Sequence, residues 1–301
     1  MSVFTDGKTN GPGICWPDGK RIAVMVTFDF DAEFLRISRA ESKGTSIGFT
    51  DFSRGQYGPH TGLLRCLNML DAHQVKSTFF VPGAVAEKYT EQVRMIHERG
   101  HELACHGYRH ESVRGISREE EEAILDKSEA ALMAVTGKRP AGHRGPESII
   151  HPFTHELLAE RGYLYSSSMK DCDYAYLWEQ DGKELPLVEL PNDITMDDFT
   201  YYFTFSDPAV RAMYTNREVL GNWKAEFDGL AEEGDKIFVL KLHPQMIGRA
   251  SRIAMVGDFI SYMKGHGAWI TTCENVARYV LNQHKLPRSG SAPEHHGKEA
   301  L

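Results

Sequence analysis

Short apolar runs rich in Val, Ile, Phe and Thr recur along almost the whole chain, each separated from the next by an amphipathic stretch of helical period. Such runs bounded by turn residues read as buried strands, and their alternation with helices requires a parallel sheet covered by helical layers. The runs are 22–29, 76–81, 102–106, 141–144, 163–169, 187–191, 236–243 and 268–271. Between them, 61–73 places Leu63, Leu64, Leu67 and Leu70 on one face, and 85–99 does the same with Tyr89, Val93 and Ile96 before Gly100. Ser117 with Glu120 predicts a capped helix carrying Ile124, Leu125, Leu132 and Val135, stopped by Gly137 and Pro140. Thr271 and Glu274 predict a second capping box, opening a helix with Val276, Tyr279, Val280 and Leu281. The fold class is therefore α/β, doubly wound or closed as a barrel, with a flexible tail at 286–301, and length alone leaves one large domain or two smaller ones open. Either architecture gathers reactive groups on loops at the carboxyl ends of the strands.

Charge and cysteine usage narrow the function. With 34 Lys and Arg against 42 Asp and Glu, the net charge of -8 lacks the basic footprint of a nucleic-acid binder. Cys15, Cys66, Cys105, Cys172 and Cys273 form no C-x-x-C pair and point to reduced thiols. No apolar run approaches the roughly 20 residues of a membrane span, and the polar, Gly-containing start of the sequence carries no export signal. The expectation is a cytoplasmic protein without nucleic-acid or membrane partners, acting on a small molecule.

Candidate chemistry falls at strand ends. Asp29 and Asp31 lie two apart after VMVTF, on one side of an extended chain, where either could also simply cap a turn. His106 and His110, after GHELAC, have a spacing that brings two imidazoles together on a helical turn or tight loop. Two His with one carboxylate make a three-ligand site with an open position for water, the arrangement of catalytic zinc. Arg144 follows a short strand and could fix a carboxylate by a bidentate pair, or form a surface salt bridge. His243 ends KIFVLKLHP, suited to general-acid work or to a structural role. What weighs against the bland readings is that all six residues fall at the ends of four different strands. No phosphate-binding P-loop and no strand-linked G-x-G-x-x-G appears, and no G-x-S-x-G elbow joins a strand to a helix. Cys105 reads as core packing rather than a nucleophile. Tyr174, Trp178 and Asp198, in an acidic and aromatic stretch over 171–205, could line a substrate pocket, form a subunit contact or pack the core.

Thr27-Phe28-Asp29-Phe30-Asp31, His106-x-x-x-His110, Arg144-Gly145-Pro146 and Leu242-His243-Pro244, in this order over about 22–284, resemble the polysaccharide deacetylase (NodB-homology) family of metal-dependent hydrolases of C–N bonds. The resemblance implies a single-domain distorted (β/α) barrel over 1–285 in which Asp31, His106 and His110 bind a divalent metal, Asp29 is the base, His243 the acid, and Arg144 orients Asp29. The D-F-D variant of the usual D-D-G, with Ser53-Arg54-Gly55, Ser168-Met169 and Asp197-Asp198, is similar to a subgroup of intracellular peptidoglycan-deacetylase-like proteins, cyclic imidases and allantoinase-like enzymes. Metal-free members of that branch lose one histidine of the pair, and both are present here, so the resemblance favours a bound metal, Zn²⁺ first. It also implies a homo-oligomer, tetramers being common in the subgroup. The expected substrate is a soluble N-acylated sugar or a cyclic imide or ureide. Ring opening without deacetylation and non-catalytic metal or ligand binding stand as the alternatives.

Overall fold

A computed structural model describes residues 13–203 and 214–285; the expected tail at 286–301 lies outside the described residues. The sheet contains β1 (Ile22–Asp29), β2 (Thr78–Val81), β3 (Glu102–Cys105), β4 (Gly142–His143), β5 (Tyr165–Ser166), β6 (Tyr176–Gln180), β7 (Lys183–Glu189), β8 (Lys236–Leu242) and β9 (Trp269–Thr271). Its order is β6-β7-β5-β4-β3-β2-β1-β8, with β9 joining β1 as well. Every pairing is parallel except the β6–β7 hairpin. The sheet curls into a distorted (β/α) barrel whose described strands end at β6 on one edge and β8 on the other.

One rule of side-chain parity organises the interior. Along β1 all eight residues are buried, as a parallel strand covered on both faces requires. Ile22, Val24, Val26 and Phe28 join the layer under the helices. Ala23 and Met25 join the concave side with Phe80, Ala104, Tyr165, Val188, Ile237 and Val239. The helix Cys273–Lys285 and the segment around Trp16 plug this concave side, Trp16 Nε1 donating to the Lys236 carbonyl at 3.0 Å. The inner positions continue upward as Thr27 and Asp29 on β1, Lys241 and His243 on and after β8, His106 after β3, and Arg144 after β4. A dry floor of apolar rings thus carries a polar upper layer. Gly142 is glycine because the Tyr165 ring lies where its side chain would stand, 1.8 Å from an added Cβ.

The local differences from expectation have physical causes. The stretch 85–99 is two helices, Gly83–Lys88 and Thr90–Glu98, broken at Tyr89, whose hydroxyl donates to the buried Glu33. Helix Leu63–Ala72 buries Leu63, Leu67 and Leu70 but turns Leu64 outward. Ser117 and Glu120 form the expected capping box. The second box does not form: Thr271 Oγ1 accepts from Asn275 Nδ2, and Thr272 Oγ1 takes the Asn275 N–H one position later. The β6 strand was not evident from apolar pattern, although Asp181-Gly182, both at positive φ, is a hairpin turn signal. Gly44-Thr45-Ser46-Ile47-Gly48 has the letters of a serine-hydrolase elbow but lies in an exposed loop between the helices Phe34–Glu41 and Phe49–Tyr57. Cys105 is buried, and burial pushes its thiol up to about 12, as a packing residue requires. Among the described residues no helix is long and apolar enough to cross a membrane.

Candidate active site

The structure brings all six strand-end residues together. Asp31 Oδ1 lies 3.5 Å from His106 Nε2 and 3.9 Å from His110 Nε2, and the three ligating atoms fall within 4.8 Å of one another. Asp31 is at zero exposure, yet both its carboxylate oxygens and His106 Nε2 have no hydrogen-bond partner among the described residues. Buried polar atoms are almost always satisfied, so three orphans aimed at one point are the signature of a cation-binding position. His106 donates its Nδ1 proton to the Arg144 carbonyl at 2.7 Å, which leaves the Nε2 lone pair for a ligand. Burial also drives His106 well below its ordinary pKa, keeping it in the neutral form that binds metal. A divalent ion therefore fits Asp31, His106 and His110.

The loops that carry these groups are tightly determined. His110 (φ 59) and Gly107 (φ 68) bend the chain after β3 into a loop, not a helical turn, so that both imidazoles face inward. Ala32 after Asp31 is also at positive φ (51), a conformation that a non-glycine residue adopts at a cost. The next residue, Glu33, is pressed against Gly55 of the Ser53-Arg54-Gly55 stretch, where an added Cβ would come 2.3 Å from the Glu33 Cα.

Asp29 is held from the other side. Arg144, fully buried, donates from Nη1 to Asp29 Oδ1 at 2.7 Å and to Thr27 Oγ1 at 3.0 Å. Its Nε and Nη2 go to the carbonyl and hydroxyl of Ser167, and its guanidinium sits 3.9 Å over the Phe80 ring. The pair is neither bidentate nor at the surface: one nitrogen serves the carboxylate because the rest of the fork is needed by Ser167. Burial would raise the Asp29 carboxyl, but Arg144, His106, Lys241 and His243 outweigh it and hold it well below the usual carboxylate range. Its free oxygen, Oδ2, stands 3.8 Å from His106 Nε2 and 4.0 Å from His243 Nε2.

His243 completes the group, its Nε2 3.6 Å from Asp31 Oδ2. Asp198 corrects the pocket expectation. One oxygen accepts from His243 Nδ1 at 2.7 Å and the other from the His243 backbone N–H at 3.0 Å, so a residue expected to face substrate is spent on the imidazole. Burial alone would lower His243, but Asp198, Asp197 and Asp31 push it up to about 10, so the ring carries its second proton. Asp197 is itself held by Lys241 at 2.7 Å. Tyr174 and Trp178 stand elsewhere: Trp178 stacks on His155 at 3.7 Å, and Tyr174 lies edge-on to Tyr176.

Several contributors were not evident from motif reading. Glu189, on the outer face of β7, accepts the backbone N–H groups of Ser168 and Met169 at 2.7 and 2.9 Å and pairs with His155 at 2.9 Å. It thereby fixes the loop whose Ser167 holds Arg144. The Ser166-Ser167-Ser168 run after a strand was the available signal for that loop.

The chain is similar to known proteins over most of its length. The sequence profile described as Polysaccharide deacetylase matches residues 54–166. A peptidoglycan deacetylase of Helicobacter pylori is 28% identical over 84% of this chain and 94% of its own. A crystal structure of a Mycobacterium smegmatis protein assigned to the polysaccharide deacetylases superposes with a TM-score of 0.83 at 35% identity, covering 93% of this chain and 97% of that one. The Puue allantoinase structure shares the fold at a TM-score of 0.80 and 24% identity, over 92% and 96% of the two chains.

Proposed function

Since the chain belongs to the polysaccharide deacetylase family of carbon–nitrogen hydrolases, we propose that it is a metal-dependent amide hydrolase acting on a soluble N-acylated sugar or a cyclic imide or ureide. The observation that carries the metal dependence is the set of orphaned, buried ligand atoms on Asp31 and His106, with His110 beside them. When bound there, a divalent ion, Zn²⁺ by donor set, supplies Lewis acidity toward a water molecule and the substrate carbonyl.

The residues of the chain divide the proton work. Asp29 Oδ2, kept ionised by the Arg144 contact on Oδ1, takes the proton from the attacking water. Arg144, anchored by Thr27, Ser167 and the Phe80 face, keeps the carboxylate in one orientation while its charge changes. His243, doubly protonated, gives its Nε2 proton to the departing nitrogen, which otherwise leaves poorly as an anion. Asp198 keeps the Nδ1 proton in place and stabilises the charged ring before transfer. The near-complete burial of the polar layer over the apolar floor excludes bulk water and strengthens each of these interactions.

The fold does not separate deacetylation from ring opening. The test is metal analysis of the purified protein, verified removal by chelation, and a side-by-side assay of N-acetylglucosamine oligomers, succinimide, hydantoin and allantoin. The proposal expects turnover to vanish with the ion and return with zinc. Unchanged hydrolysis after complete removal refutes it. Ring opening without acetate release selects the amidohydrolase branch, and bound metal without turnover of any amide supports the non-catalytic reading.

A further inference from the structure

Immediately past His243 the chain turns into the short helix Pro244–Ile247, with the Met246 and Ile247 N–H groups both bonded to the His243 carbonyl at 2.8 Å. This turn forms one wall of a cavity of about 310 Å³, in the size range of small-ligand sites. Its lining is unusual for a chain of net charge -8: Arg36, Arg54, Arg249 and Arg252 surround it, together with Gln245 and Tyr202. Asp51 neutralises part of this charge by accepting from Arg36 at 3.2 Å and Arg54 at 3.0 Å. Arg249 and Arg252 have no carboxylate at ion-pair distance among the described residues.

These last two guanidiniums are held by stacking instead, Arg249 3.5 Å over the Tyr57 ring and Arg252 3.9 Å over the Tyr202 ring. Stacking fixes the plane and leaves the N–H edge available, and that edge matches the geometry of a carboxylate or phosphate. Among the described residues one Arg252 nitrogen is engaged, by the Met246 carbonyl at 2.9 Å. The sixteen-residue helix Ala250–Gly265 begins between the two arginines with no side-chain cap, so its positive end adds to the same field. An independent sign comes from Gln245. It is 6% exposed and lines this cavity, yet neither its side-chain oxygen nor its nitrogen has a partner among the described residues. A primary amide left wholly unsatisfied at that burial is waiting for a ligand that can both donate and accept.

We propose that this cavity is an oxyanion-binding subsite: it takes a carboxylate or phosphate group between Arg249 and Arg252, with Gln245 reading the polar atoms next to it. As a statement about substrate it rests on the hydrolase reading and adds to it. The amide that is cleaved then belongs to a molecule that also carries an anionic group, held on the segment that follows the proton donor in the chain. As a statement about binding it stands without turnover.

The test uses the full-length, zinc-loaded protein and calorimetric titration with succinate and with inorganic phosphate, at constant ionic strength set by chloride. Zinc content and melting temperature are measured on every variant. The double substitution Arg249→Gln with Arg252→Gln should weaken whichever anion binds the parent protein by at least tenfold. Gln245→Glu, which keeps the side-chain shape and places a competing charge in the cavity, should weaken it comparably. Preference for succinate assigns a carboxylate-bearing substrate, and preference for phosphate a phosphorylated one; both support the subsite. No binding of either anion above chloride overturns the proposal. So does binding that the double variant leaves unchanged, since the anion then sits at the metal. Inactivity toward every amide, with anion binding intact and sensitive to these substitutions, would refute the hydrolase reading and leave the subsite standing.

Discussion

Asp198→Asn isolates the function of the carboxylate beneath His243 with little change of shape. In the native structure its two oxygens accept from the imidazole Nδ1 at 2.7 Å and from the backbone N–H at 3.0 Å. The amide can keep one of these acceptor contacts, but its NH₂ group then confronts the other donor, and the negative charge that favours the doubly protonated ring is gone. A hydrogen bond to a charged group contributes about 1.5–3 kcal/mol, and here the imidazolium is the charged partner. Loss of about 2–3 kcal/mol in the step that protonates the leaving nitrogen corresponds to roughly a 30- to 150-fold lower kcat. The pH profile must change as well. The acid is active in its protonated form, so activity falls as pH rises through its pKa; without the Asp198 charge that pKa is lower, and the alkaline limb moves to lower pH. The assay compares an alkyl amide with an activated aryl ester of the same acyl group, because a phenolate leaves without a proton. The loss should be at least tenfold smaller for the ester, with zinc content unchanged. An equal loss on both substrates, or an unmoved alkaline limb, would refute the assignment of Asp198 to the acid.

Three further outcomes follow from the structure. Asp31→Asn should abolish zinc loading: zinc at about 100 times its Kd stabilises the parent by about 2.7 kcal/mol, seen as a rise in Tm, and leaves the variant unmoved. Gly142→Ala drives a methyl into the Tyr165 ring and should cost about 1–3 kcal/mol by urea denaturation, with Tyr165→Leu in the same chain recovering part of it. Acid stability should be governed in part by His101, buried and lowered to about 4 while its Nδ1 accepts the Ser77 N–H. The unfolded chain binds the extra proton from about pH 6.5 downward and the folded chain does not, so this contribution is present above pH 6.5 and is lost as pH falls toward 4. At pH 5 it amounts to about 2 kcal/mol, and His101→Asn should show that much less loss between pH 7 and pH 5 in urea midpoints.

The sequence carried most of the architecture because strand parity and chemistry coincide. VMVTF-D-F-D announces a buried strand and, by its period of two, places Thr27, Asp29 and Asp31 on one side. The same reasoning works for His106 after β3 and His243 after β8, whose neighbours alternate in the same way. What could not be read were partners joined only through the curl of the sheet. Arg144 reaches Thr27 across 117 residues, and Asp198 reaches His243 across 45. Asp198 looked like one more acid in an aromatic segment, and nothing local says which strand end that segment crosses. Tyr174 and Trp178 misled for a related reason: both lie on or before β6, a hairpin strand at the sheet edge, and periodicity gave no sign of that strand.

The shared inward direction of Asp29, Lys241 and Arg144 means that each strand encodes packing and reactivity in a single reading frame. A deletion of one residue within 22–28 would do more than shorten β1. It would carry Phe28 and Phe30 into the polar layer and send both carboxylates under the helices. Length variation is therefore closed to these strands and open to the connections below the floor, so diversification of such a chain should proceed by replacing loops around an invariant set of strand lengths.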